Sequence, residues 1–149
     1  MQDLRDCFRE HPIIASIRND TDFKYALNSK VATLWEGVVY LAKKELCNGI
    51  ITTKNNLINI AKKEGLITIQ RLFLLDSAAL KTGEQILKHN QPDAVEILPG
   101  IAAPYFIEHV YKELLCPVIA GGLISDKSEI EELFQKGVLA VSTSKKELW

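Results

Sequence analysis

At 149 residues the chain is long enough for one domain with a real core and too short for two comfortable ones. Hydrophobic residues make up 47% and charged residues 25%, with a net charge of −1, so no global positive field draws the protein to nucleic acid or membrane. Any anion must therefore be held by a local site. The charged start MQDLRDCFREHP, and the lack of any apolar run near the ~18 residues of a membrane span, point to a soluble cytoplasmic protein with no membrane partner. Cys7, Cys47 and Cys116 are widely spaced, odd in number and without a CxxC or Cys/His pattern, so reduced thiols are expected and no metal site.

In chain order, the first short apolar run is PIIASI, Pro12–Ile17. The helical pattern TDFKYALNSKVAT follows, and the chain then enters LWEGVVYLAKKELCNGI with no strand between. From there strands and helices alternate. The apolar runs are Gly49–Thr53, Leu66–Leu72, Ala94–Pro99, Pro117–Gly122 and Val138–Ser144, each with little alternation, as in parallel strands covered on both faces. Between them, NNLINIAKKEGL places Leu57, Ile58 and Ala61 on one helical face and stops at Gly65. DSAALKTGEQILKHN opens at an Asp76 or Ser77 cap and carries Ala79, Leu80, Ile86 and Leu87 on its apolar side. SDKSEIEELFQKGV opens at Ser125/Asp126, turns Ile130, Leu133 and Phe134 inward and ends at Gly137.

Strand-helix-strand repetition with short loops predicts a parallel α/β sheet with right-handed crossovers. An open doubly wound sheet would carry a glycine-rich turn after its first strand, and SIRND has none. The glycines stand after the last strand but one, Gly121 and Gly122, and the hydroxyls Ser142, Thr143 and Ser144 end the last. A closed barrel places a phosphate site in those two loops. There glycines let backbone N–H groups approach, and a following helix start favours negative charge. The plain alternative is a tight turn and an ordinary helix cap. Only six strands can be counted, whereas a (β/α)8 barrel needs eight. A segment of βαβ size is missing near residues 33–34.

The blocks ITIQRLFLLDSAAL, PDAVEILPGI, PVIAGGLI and GVLAVSTSKKELW, in that order, resemble the glycerol-uptake-operon antiterminator family, the glycerol-3-phosphate-responsive regulators of bacteria. The similarity runs from PIIASIRN to KELW. It implies a TIM-barrel-like fold and glycerol 3-phosphate as effector, with no cofactor. It also implies binding of the leader of nascent messenger RNA, which prevents transcription termination of glycerol genes. A homo-oligomer stays open. Family members carry a second strand, a helix and a third strand after a segment like FKYALNSKVAT, and these are absent here. The expectation is one (β/α) barrel-like domain over residues 1–149 lacking the second and third strands, through an internal deletion or because the residues given omit them.

Function in such a barrel gathers at strand C-terminal ends. Arg18 follows the first run, Lys54 the second, and Gln70 and Arg71 sit late in the third. Arg18, Lys54 or Arg71 can complete a phosphate cradle through charge-assisted hydrogen bonds. Glu96, inside AVEILP, must face the interior or find a buried partner. It either accepts hydrogen bonds from glycerol hydroxyls or forms a structural ion pair with Arg71. An enzyme acting on a small phosphosugar, an isomerase or lyase, is the alternative function, with Lys54 and Glu96 its only candidates and neither supplied with an evident partner. No catalytic residue is assigned, and His11, His89 and His109 read as surface residues. RNA contacts rest on the resemblance alone. The pairs Lys43–Lys44, Lys62–Lys63 and Lys145–Lys146 read as solvated faces unless they track a phosphate backbone. Trp35, Tyr105 and Tyr111 suit base stacking, packing or a dimer contact equally.

Overall fold

The computed structural model describes residues 13–15, 34–43, 47–111 and 116–148. Among them, six strands form one sheet: β1 Ile13–Ala15, β2 Gly49–Thr52, β3 Ile67–Phe73, β4 Ala94–Leu98, β5 Val118–Gly121 and β6 Ala140–Thr143. Every pairing is parallel and the order is β1-β6-β5-β4-β3-β2. The first strand pairs with the last, as in a barrel, and β1 and β2 lie at opposite edges of the described sheet. Among the described residues the fold is a partial (β/α) barrel.

Five α-helices are described: α1 Leu34–Lys43, α2 Asn55–Lys63, α3 Ser77–Asn90, α4 Ala103–Phe106 and α5 Lys127–Gln135. A π turn, Ile107–Tyr111, continues α4. The starts are set by short acidic side chains. Asp76 Oδ1 accepts from the Ala79 amide at 2.7 Å, and Asp126 Oδ1 from the Glu129 amide at 3.0 Å. Glu129 reaches back to the Asp126 amide, completing a capping box. Hydrogen bonds from the Ser128 hydroxyl and the Glu129 amide hold the Asp126 carboxyl below its usual range. Those from the Ser125 amide and hydroxyl do the same for Glu129. Gly65 at φ 75° and Gly137 at φ 91° follow α2 and α5, where a left-handed residue is needed to turn the chain into the next strand.

Strand alternation sorts the core into layers. On the outer face Leu72, Val95, Ile97, Val118, Ala120 and Val141 pack with Leu87, Phe106, Ile130 and Leu133 from the helices. On the inner face Ile69, Ala94, Ile119 and Ala140 form a second cluster. A third, Val38, Leu57, Ile60, Ala61 and Leu66, fills the space between α1, α2 and the start of β3. Both faces are therefore apolar, which is why the strands read as unbroken hydrophobic runs. Buried Cys116 lies near Pro92, and burial pushes its thiol up to about 12, so it stays protonated and inert at neutral pH.

Two outcomes follow. A Cβ on Gly49 would lie 2.6 Å from the Ile67 carbonyl oxygen and 2.8 Å from Ile67 Cβ, so Gly49→Ala must push β2 off β3. Urea unfolding should register a loss of about 1–3 kcal/mol, and an unchanged midpoint would mean the strands do not approach so closely. For Asp126 and Glu129 the folded pKa lies below the unfolded value, so their contribution is present at neutral pH and lost as pH falls through the folded value. Stability measured against pH should therefore decline less steeply on the acid side in Asp126→Ala than in the parent.

Candidate functional site

Beyond the inner-face cluster, the same faces of the strands change character. Ile69 is followed two residues later by Arg71, Ala94 by Glu96, Ile119 by Gly121 and Ala140 by Ser142. The register sets Arg71 opposite Glu96 and Gly121 opposite Ser142. The mouth of the barrel at the strand C-terminal ends is thus lined by a cation, a carboxylate, a bare backbone and a hydroxyl. Glu96 is 1% exposed. Its Oε2 accepts from Arg71 Nε at 2.5 Å, while the Arg71 side chain is a third exposed. A Cβ on Gly121 would stand 2.7 Å from Glu96 Oε1 and 3.2 Å from its Cδ. The carboxylate therefore occupies the space that a side chain on β5 would need.

The loops around this mouth are tied to one another. The Leu74 amide donates to the Leu98 carbonyl at 2.9 Å, and the Gly100 amide to the Gly122 carbonyl at 3.1 Å. Lys145 Nζ donates to the Ser125 carbonyl at 2.5 Å. After β5 both Gly122 (φ 74°) and Leu123 (φ 58°) are left-handed. Leu123 is also 87% exposed, so a bulky side chain holds a strained backbone without burial in return. Phe73 at the end of β3, Leu75 and Ile101 just beyond the strands, and Tyr105 on α4 are exposed, giving the mouth an apolar rim.

The other residues singled out from sequence are distributed unevenly. Thr143, on the opposite strand face from Ser142, is buried, and its Oγ1 accepts from the Lys145 amide at 3.1 Å. Ser144 is exposed beyond it. Where the sequence predicts a helix start, the described residues show a single 3₁₀ turn, Lys146–Leu148. Lys54 is the exposed N-cap of α2 after the edge strand β2, with β3 and β4 between it and Gly121. Gln70 faces α3, where its Oε1 accepts from Asn90 Nδ2 at 3.1 Å. Arg18 and His11 lie outside the described residues, as do the side chains of Trp35 and Tyr111. Tyr105 stacks on His109 with centroids 4.0 Å apart. Sequence reasoning did not find the strained Leu123, because nothing in GGLIS marks leucine as left-handed. No cluster of metal-ligating side chains exists among the described residues, and none of their helices is long and apolar enough to cross a membrane.

The glycerol-3-phosphate responsive antiterminator family model matches residues 31–149. The crystal structure of the glycerol uptake operon antiterminator regulatory protein from Listeria monocytogenes strain 4b F2365 superposes with a TM-score of 0.73 at 31% identity, covering 93% of this chain and 95% of that one. A glycerol uptake operon antiterminator-related protein from Thermotoga maritima MSB8 gives a TM-score of 0.68 at 37% identity, over 76% of this chain and 63% of that one. The uncharacterized protein YgcP of Escherichia coli K12 is 35% identical over 102 residues, 68% of this chain and 53% of that protein, so the chain spans about half the length of this curated relative. By its sequence, its fold and its solved relatives, the chain belongs to the family of glycerol-3-phosphate responsive antiterminators.

Proposed function

We propose that the protein is a cytoplasmic glycerol-3-phosphate sensor that binds the leader of a glycerol-operon messenger RNA and prevents transcription termination. The observation that carries this reading is the buried Glu96 carboxylate, tied to Arg71 and laid against Gly121 at the barrel mouth, in a chain of this family. The phosphate sits against the loops after β5 and β6, at Gly121, Gly122, Ser142 and Ser144; Thr143, its side chain on the other face of β6, offers only its backbone. The remaining N–H groups of Arg71 supply positive charge at the mouth. The polyol end then points to Glu96. Catalysis is not part of the reading: Glu96 is engaged by a guanidinium, which takes no proton, and Lys54 stands exposed away from Glu96's strand.

Effector binding orders the loops after β5 and β6 and shifts the population toward the form or assembly that holds RNA. RNA affinity then comes from lysines outside the mouth, such as Lys145–Lys146, and falls with salt.

A thermal-shift titration with glycerol 3-phosphate, against glycerol and inorganic phosphate, tests the sensor. At a hundredfold excess over Kd the melting temperature should rise by about 5–10 °C, and by less with either control. An equal shift with phosphate alone would mean a generic anion cradle. Retention of a glycerol-operon leader transcript should increase with glycerol 3-phosphate and weaken between low and high salt, and indifference to effector would remove the regulatory step. In Gly121→Ala the new methyl group must displace Glu96. The variant should lose most of the glycerol 3-phosphate response, and a normal response would place the polyol elsewhere.

A further inference from the structure

Glu96 is buried, yet one of its oxygens is left over. Oε2 is taken by Arg71 Nε, and Oε1 makes no side-chain hydrogen bond among the described residues. Glu96 is 1% exposed, and a Cβ on Gly121 would stand 2.7 Å from Oε1, so this oxygen lies against the bare backbone at the C-terminal end of β5, at the mouth. A carboxylate paired with a guanidinium has acceptor capacity only. Its orientation is set from both sides, by the Arg71 bond and by the bare backbone of β5.

From this geometry we infer that Glu96 is a specificity-determining residue that reads the oxidation level of a three-carbon phosphate. It admits the polyhydroxy form and rejects the ketone and the carboxylate of the same skeleton. The inference rests on the reading that a glycerol phosphate lodges at this mouth. A hydroxyl donates to Oε1 and satisfies it. A carbonyl oxygen at the same place sets lone pair against lone pair and leaves Oε1 desolvated without a donor. A second carboxylate brings like charge against a group that has lost most of its water. Gly121 is part of the device, since any side chain there would force the carboxylate from its position.

Calorimetric titration of the full chain with glycerol 3-phosphate, dihydroxyacetone phosphate, 3-phosphoglycerate and inorganic phosphate tests this. The first two carry the same phosphate charge, so their ratio isolates hydroxyl from carbonyl. Glycerol 3-phosphate should bind about 10- to 100-fold tighter than the ketone, the factor that a charge-assisted hydrogen bond is worth, and 3-phosphoglycerate should bind weakest of the three. Glu96→Gln, which can donate as well as accept, should bring the alcohol-to-ketone ratio toward unity and relieve the rejection of 3-phosphoglycerate. A merely structural role would weaken all ligands together and leave the ratio unmoved. Gly121→Ala keeps the charge but displaces it. It should lose the preference for alcohol over ketone while still rejecting 3-phosphoglycerate, and it carries the test if circular dichroism shows that Glu96→Gln does not fold. Equal affinity of the parent for alcohol and ketone, or an unchanged ratio in both variants, overturns the inference and leaves glycerol 3-phosphate sensing standing. Failure of the parent to bind glycerol 3-phosphate at all overturns both.

Discussion

A parallel sheet covered on both faces offers no water to a polar side chain within its strands, so each such group must find a partner inside the protein. That constraint divides the molecule into two ends. Toward the N-terminal ends of the strands the partners are local. Asp93 Oδ2 accepts from both the amide and the hydroxyl of Thr68 at 2.8 Å. Lys62 reaches across from α2 to the carbonyls of Asn90 and Gln91, meeting the unsatisfied end of α3. Gln70 is held by Asn90 and by the Thr52 carbonyl. These bonds join one strand-helix unit to the next and are structural. Toward the C-terminal ends the partner of Glu96 is a half-open arginine, and there the sheet meets solvent.

The difference between the two ends has an energetic reading. A buried ion pair recovers in attraction about what its charges lose in hydration, so replacing both partners with apolar residues of similar size is often neutral or stabilising. Stability alone gives no reason for a carboxylate in AVEILP, where valine and isoleucine already fill the outer face. Its presence also excludes a side chain at Gly121, removing apolar contact that the inner face would otherwise gain. Leu123 adds a second cost, a left-handed bulky residue left in water. Costs concentrated at a mouth, beside strands that are otherwise well packed, support the proposal that this mouth serves function rather than stability.

Much of this architecture was legible in the chain. Unbroken apolar runs placed β2 to β6 to within about two residues of their observed ends, since a strand buried on both faces leaves little room for another reading. The breaks Gly65 and Gly137 and the caps Asp76 and Asp126 were visible because glycine and short acids have few other reasons to stand there. Less legible was whatever depends on register across a crossover. Two isolated charges, in LITIQRL and AVEILP, pointed to Arg71 and Glu96, yet only the pairing of β3 with β4 sets them opposite each other. The bare backbone at buried Gly121, against which the second carboxylate oxygen lies, depends on one further pairing. Ser142 and Thr143 are neighbours in sequence but occupy opposite faces, and among the described residues a single 3₁₀ turn follows β6. Adjacent residues in a strand do not act as one motif, which the run STS conceals.

The bonds that link the mouth loops have a consequence for sensing. Leu74 to Leu98 ties the loop after β3 to the end of β4, Gly100 to Gly122 ties the loop after β4 to that after β5, and Lys145 to Ser125 ties the loop after β6 to that after β5. A group seated between the last two strands would act on Gly122 and Lys145 directly, and through them on the loops that carry Leu75 and Ile101. These exposed apolar side chains are the part of the rim whose presentation can change without any strand moving. The core beneath, with Ile97, Val118 and Ile119 almost wholly buried, is too closely packed to deform by degrees. Coupling in such a molecule therefore belongs to the linked loops, with the rigid sheet as the frame against which they move.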